Sequence, residues 1–266
     1  SRNLYILANN FVQTIVRERI LSKMEFVRIF LLFDGDVERS IKSLDSILNQ
    51  TYEFTKFFIV LLTMQNVDDL IFAMKDRLSQ FEFVDKSEFQ NKLKSHDGSY
   101  VQFVLSGDKI FPDKTMHCVE FMHANFYSQI AFTMSMPRQN RKNFPNELCT
   151  VFPLNQKSPV AIMNGDYLLR NLLREPDILS SLLSRGFFRQ EVFEDSSIID
   201  AWINSIPVES FCIESSSIYP IANLILYRSV NFMNEELVES SERDWMDSDL
   251  AFYKNVCQIL LKQIEE

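Results

Sequence analysis

The chain has 266 residues, 46% of them hydrophobic and 24% charged, with a formal net charge of −9. That length suits one large domain or a domain with flanking helices, able to bury its apolar surface without a disulfide or metal staple. The acidic balance excludes a dedicated nucleic-acid binder, which carries a basic footprint.

The elements can be read in chain order. Leu4, Leu7, Phe11, Ile15 and Ile20 carry a helical spacing over 4–23. Phe26 to Phe33 is a near-continuous apolar run of strand length that stops at Asp34-Gly35-Asp36, and such a strand is covered on both faces, as in a parallel sheet. Asp36 is placed to cap a helix whose stripe is Val37, Ile41, Leu44 and Leu48. Phe57 to Leu62 is a second buried strand, after which Asn66 is expected to cap a helix with Val67, Leu70, Ile71, Met74 and Leu78 inward. A short strand fits Phe81 to Val84, a helix Glu88 to Lys94, and a further strand Tyr100 to Leu105, ending at Ser106-Gly107-Asp108. Then come a helix from Met116 to Phe126, a strand from Gln129 to Ser135, and a proline-rich loop with Arg138, Arg141 and Lys142. Helical segments are expected at about 164–184, broken before Pro176, and at about 195–204, with a strand at Val208 to Ile213. Leu250, Tyr253, Cys257, Leu260 and Ile264 form a closing helical seam suited to packing on its own domain or on a partner helix.

Strands alternating with helices predict βαβ units, a mostly parallel sheet, and ligands bound beyond the carboxyl ends of its strands. Only five glycines occur, and four of them (Gly35, Gly98, Gly107 and Gly165) stand next to an aspartate. Two of these acidic turns fall at strand carboxyl ends, Asp34-Gly35-Asp36 and Ser106-Gly107-Asp108, and they mark the candidate site. Asp34 and Asp108 are expected to approach each other at one rim. Cys118, Cys149, Cys212 and Cys257 have no metal or redox spacing and read as free thiols of a reducing, cytoplasmic compartment. No run reaches the length of a membrane span.

Three stretches carry a resemblance. Ser43-Leu44-Asp45-Ser46-Ile47-Leu48-Asn49-Gln50-Thr51-Tyr52 resembles the "S-L-x-S-[IVL]-L-x-Q-T-Y" stretch of family-2 glycosyltransferases. Asp97 to Asp108 resembles their strand ending in a D-x-D motif, and Gly186-Phe187-Phe188 with Phe193-Glu194-Asp195 resembles their "G-x-F" and "E-D" elements. The resemblance implies a GT-A fold over 25–235, with a helix at 1–24 and a helical extension at 236–266. It implies transfer of a sugar from a nucleoside-diphosphate sugar to a hydroxyl of a glycan, protein or lipid acceptor. Asp195, with Glu194, takes the role of base; Phe33, Asp34, Asp36, Ser106 and Gly107 line the donor site; and Asp108 holds Mn²⁺ or Mg²⁺, bound weakly and together with the diphosphate. The chain departs from the family at three points. Phe33-Asp34-Gly35-Asp36 stands where the family has a proline and a small residue at the end of the first strand. Leu61-Leu62-Thr63-Met64-Gln65-Asn66 replaces "D-D-x-S-x-D", and Ser106 replaces the first aspartate of D-x-D.

Plainer readings stand beside these. Asp34 and Asp36 also suit a helix-capping turn, and Asp195 a helix N-cap. The histidines read as surface or packing residues and the methionines as core filler. Two alternative functions stay open: an accessory or interaction domain that keeps the fold without donor binding, and a haloacid-dehalogenase-like phosphatase, whose "h-h-h-F-D-x-D" strand resembles Phe30 to Asp36.

Overall fold

A computed structural model describes residues 25–136, 163–172, 182–194 and 222–239, together with Cys257 and Leu261. The expected helices at 4–23 and 195–204, the strand at Val208 to Ile213, the proline-rich loop beyond Met136 and most of the closing seam lie outside the described residues.

The strands are β1 (Val27–Phe33), β2 (Thr55–Leu61), β3 (Phe81–Asp85), β4 (Tyr100–Leu105), β5 (Lys109–Ile110), β6 (Ile130–Met136), β7 (Met163–Asn164), β8 (Gly186–Arg189) and β9 (Ser229–Glu239). They form one sheet in the order β3-β2-β1-β4-β8-β6-β9-β5, with β7 paired to β9. β1, β2, β3 and β4 are mutually parallel, β8 runs antiparallel between β4 and β6, and β6 and β9 are parallel to each other. The sheet is therefore mostly parallel, as the apolar runs of β1, β2 and β4 predict.

The helices are α1 (Val37–Leu48), α2 (Val67–Met74), α3 (Lys86–Lys94), α4 (Lys114–Ala124), α5 (Gly165–Leu172), α6 (Leu182–Arg185) and α7 (Ala222–Ile225). Every residue of β1 is buried, and alternate side chains serve opposite layers. Phe30 and Leu32 join Phe89 and Leu93 of α3 and Leu168 and Leu169 of α5 on one face. Ile29, Leu31 and Phe33 join Leu44 and Ile47 of α1, Leu70 of α2 and Val119 of α4 on the other. The sheet is thus sandwiched between two helical layers, which is why its central strands read as unbroken apolar runs.

One buried cation fixes the amino end of this sandwich. Arg28 in β1 donates to the carbonyl oxygens of Lys92 and Leu93, to Ser95 Oγ and to Gln190 Oε1. It thereby satisfies the last carbonyls of α3, which have no partner within the helix.

Two local expectations need correction. Asn66 does not cap α2 with its side chain: its φ is 57°, in the left-handed region, whereas a capping residue needs an extended backbone. Its side chain instead donates to Gly35 O at 2.8 Å, tying the turn after β2 to the turn after β1. Ile71, expected to face inward from α2, is exposed. Beyond Arg185 the chain enters β8, where a Cβ on Gly186 would lie 2.5 Å from the Phe188 ring.

Candidate donor site

β1 and β4 are adjacent and parallel, with Leu32 opposite Leu105, so the turns that follow them emerge side by side. Both turn glycines have backbone angles that L side chains avoid, φ 97° at Gly35 and φ 94° at Gly107. The two turns are joined directly. Ser106 Oγ donates to Leu32 O at 3.0 Å, lies 2.9 Å from Ser40 Oγ, and hydrogen-bonds the Asp34 side chain.

The β1 turn is organised by its carboxylates. Asp36 caps α1, accepting the Arg39 N–H at 2.9 Å, as its position before the apolar stripe predicts. Asp34 accepts the Asp36 N–H at 3.1 Å. Arg39, one turn into α1, reaches both acids, with Nη2 2.7 Å from Asp34 Oδ2 and Nε 3.0 Å from Asp36 Oδ2. Burial nevertheless pushes the Asp34 carboxyl above the ordinary carboxylate range, against the pull of Arg39, the Asp36 N–H and Ser106.

The β4 turn is held by α1. Ser43 Oγ accepts the Gly107 N–H at 2.9 Å and donates to Leu105 O at 3.2 Å, and Ser46 Oγ accepts the Ile110 N–H at 3.2 Å. Gln50 Oε1 accepts from Thr115 N at 3.0 Å and Thr115 Oγ1 at 2.6 Å, while its Nε2 donates to Phe111 O at 2.8 Å. Thr51 Oγ1 lies 3.1 Å from Asp113 Oδ1. The polar residues of the stretch that carries the sequence resemblance therefore fasten the segment following β4 to the helix following β1.

Beneath that turn lies a buried ionisable cluster. Asp108 is fully buried and acts electrostatically on Lys114, which is also fully buried at the start of α4. Lys114 Nζ donates to Ser184 O at 2.5 Å, and Ser184 Oγ accepts the Leu105 N–H at 2.9 Å. Burial pushes the Lys114 ammonium down to about 8, opposed by Cys118 and Asp108, with Arg185 adding a further lowering. Arg185 donates from Nε to Thr133 O at 2.8 Å, and burial brings its guanidinium down to about 10.

Of the residues singled out in the sequence, Asp34, Asp36, Ser106, Gly107 and Asp108 lie at these two joined turns. Phe33 does not present its ring there: the side chain is fully buried in the core, and its carbonyl accepts the Leu62 N–H at 3.2 Å. Glu194 is exposed at the end of the 3₁₀ turn Gln190–Phe193, whose Phe193 ring lies 5.9 Å from that of Phe103. Asp195, Arg138, Arg141 and Lys142 lie outside the described residues. Leu61 and Leu62, which replace acidic residues of the family, are buried at the end of β2.

Arg39, Ser40, Ser43 and Lys114 were not singled out for chemistry in the sequence. Arg39 was legible as the residue three past the capping aspartate. Lys114 was legible at the head of the buried stripe Lys114, Thr115, Cys118, Val119 and Met122 of α4.

The donor set can be tested against a divalent cation. Hard cations need several oxygen ligands, most of them charged. Among the described residues no group of three His, Cys, Asp or Glu side chains is arranged to hold a metal ion. Ser106 is engaged with Leu32 and Ser40, Gly107 has no side chain, and Asp108 is fully buried. These residues do not fit a resident Mn²⁺ or Mg²⁺.

No protein-family model matches the sequence, and no curated protein sequence matches it. Solved structures do match. S. aureus TarS 1-349 in complex with UDP-GlcNAc is 13% identical with a TM-score of 0.52, covering 83% of this chain and 59% of that one. Full S. aureus TarS gives a TM-score of 0.54 at 12% identity, covering 90% of this chain and 39% of that one. The mannosyltransferase PcManGT from Pyrobaculum calidifontis, in complex with GDP-Man and Mn²⁺, gives 0.53 at 9% identity, over 90% of this chain and 64% of that one. The fold is that of the GT-A glycosyltransferases. At these identities the likeness is one of architecture, and the chain spans less than two thirds of the length of each of these proteins. In this GT-A sheet the two acidic turns stand at the carboxyl ends of β1 and β4, the side on which parallel α/β sheets bind ligands. No helix of the described residues is long and apolar enough to cross a membrane.

Proposed function

We propose that this GT-A domain binds a nucleoside-diphosphate sugar over the joined turns after β1 and β4 and transfers the sugar to a hydroxyl of a glycan, protein or lipid acceptor. The observation that carries the proposal is the union of two acidic glycine turns through Ser106, Ser40, Ser43 and Asp34. In a fold whose neighbours were solved with UDP, UDP-GlcNAc and GDP-Man, this is the rim available to a donor.

In the transfer, the acceptor oxygen forms a bond to the anomeric carbon as the bond from that carbon to the diphosphate oxygen breaks. The acceptor proton passes to a carboxylate, for which we propose Asp195, with Glu194 beside it in sequence. The turn geometry held by Ser43 and Asp34 orients the donor, and buried walls such as Leu61 and Leu62 exclude water. The boundary expected at 235 falls inside β9, which carries the sheet to Glu239. We further propose that 1–24 and 240–266 are helical additions to a catalytic unit at 25–239, available for contacts with other domains or subunits.

The test is release of UDP from UDP-GlcNAc and of GDP from GDP-mannose across a panel of hydroxyl acceptors. Asp195→Asn should remove turnover while donor affinity stays within about twofold, because the amide keeps the shape and accepts no proton. Equal loss of affinity and turnover would make Asp195 structural. Absence of nucleotide binding would leave the accessory-domain alternative.

A further inference from the structure

Two cations of the chain serve the three carboxylates at the donor rim. Arg39 spans Asp34 at 2.7 Å and Asp36 at 3.0 Å, and the buried Lys114 and Asp108 interact electrostatically. A divalent ion entering here would have to take Asp34 and Asp36 from Arg39, and the third carboxylate, Asp108, is fully buried. Ser106 is itself buried and donates to Leu32 O. A diphosphate faces the opposite situation. Of the two cations, Arg39 is the one open to solvent, with 23% of its side chain exposed, whereas Lys114 is fully buried. Its planar fork, now closed on two carboxylates, matches phosphate oxygens equally well.

On the reading that this rim takes a nucleoside-diphosphate sugar, we infer that the chain binds the diphosphate without a divalent cation, with Arg39 as the donor-binding residue that meets its charge. Arg39 turns from Asp34 to the phosphate oxygens, and Asp34 remains held by the Asp36 N–H and by Ser106. Lys114 stays buried and contributes a fixed positive field beneath the turn rather than a contact. Asp108, the residue the resemblance assigns to metal, stays fully buried, and Ser106 supports the joined turns through Leu32 O and Ser40.

The test is calorimetric titration of the full chain with UDP and with GDP, once in excess EDTA and once in saturating Mn²⁺. We expect the better nucleotide to bind with dissociation constants agreeing within about twofold in the two buffers. Arg39→Met and Arg39→Lys should each weaken binding in EDTA by about tenfold or more, since neither presents the fork. Circular dichroism of both variants checks that the fold persists. If the variants fail to fold, the comparison of buffers on the unmodified chain still decides. Binding that requires Mn²⁺, or tightens about tenfold with it, overturns the inference while leaving the proposed function standing. Unchanged affinity in folded Arg39→Met overturns the role of Arg39. Absence of binding in both buffers overturns the donor-site reading and the inference with it.

Discussion

The hydroxyl of Ser43 accepts the backbone N–H of Gly107 at 2.9 Å, joining the helix after β1 to the turn after β4. The same hydroxyl donates to Leu105 O at 3.2 Å, so one side chain serves a donor and an acceptor of that turn. Ser43→Ala leaves the buried Leu105 O and the partly buried Gly107 N–H without this partner. We expect a loss of about 1–3 kcal/mol in urea unfolding and a weaker nucleotide affinity. A variant as stable as the parent would mean that the turn holds its shape unaided.

Gly107 has φ 94°, a backbone that a residue with Cβ occupies only under strain. Gly107→Ala should therefore cost about 1–3 kcal/mol, read from the same denaturation curves. The companion substitution Gly35→Ala adds a crowding partner, since its Cβ would lie 3.2 Å from Thr63 Cγ2. A neutral effect at both sites would show that the turns relax to ordinary backbone angles.

Asp34 makes a prediction about pH. Its folded value is raised above the ordinary 3.8 by burial, so the folded chain holds that proton more tightly than the unfolded one. The stability this confers is present in acid and is lost as pH rises from about 3.8 through the folded value. At neutral pH the buried carboxylate is a cost. Asp34→Asn should then be at least as stable as the parent at pH 7, with the difference shrinking toward pH 4. Its nucleotide affinity should hold or rise, because Arg39 no longer has to leave a carboxylate to meet the diphosphate. A clear destabilisation at pH 7 would show that the Arg39 bridge outweighs desolvation.

How much of this was legible beforehand follows from the residues. β1, β2, β4 and α1 announce themselves because strands covered on both faces must be apolar throughout, and because Asp36 precedes a clean helical stripe. β9, Ser-Val-Asn-Phe-Met-Asn-Glu-Glu-Leu-Val-Glu, announces nothing: it alternates unevenly, and a register shift interrupts its pairing with β6. β8 is four residues long and was visible only as a glycine and two phenylalanines. The site was half legible. Its acidic turns stand out because glycines are scarce, and Arg39 and Lys114 can be placed on their helices by local spacing. The union of the two turns, in contrast, rests on partners as far apart as Ser40 and Ser106, 66 positions, which no local pattern encodes. The stretch with the strongest resemblance was legible as a motif, but its physical purpose, fastening the β4 turn through Ser43, Ser46 and Gln50, emerges only from the fold.

Arg28 tests the scaffold apart from the site. It is fully buried, and desolvation lowers its guanidinium to about 10, yet it satisfies the carbonyls of Lys92 and Leu93 at the end of α3. Arg28→Met should destabilise the chain by about 1–3 kcal/mol in urea unfolding, because the buried Gln190 Oε1 loses the Arg28 donor and the carbonyls of Lys92 and Leu93 keep only their bonds from Ser95 and Gln190 Nε2. Nucleotide affinity, measured well below the unfolding midpoint, should be unchanged, since Arg28 lies at the opposite end of β1 from Asp34.

The most direct measurement of the central claim is amide hydrogen exchange of the whole chain with and without UDP-GlcNAc, repeated with GDP-mannose. With the nucleotide sugar that binds, exchange should slow in the segments spanning 34–40 and 105–110, which carry the joined turns after β1 and β4. Protection confined to other segments, or none with either donor at concentrations where calorimetry detects binding, would contradict a donor site at this rim.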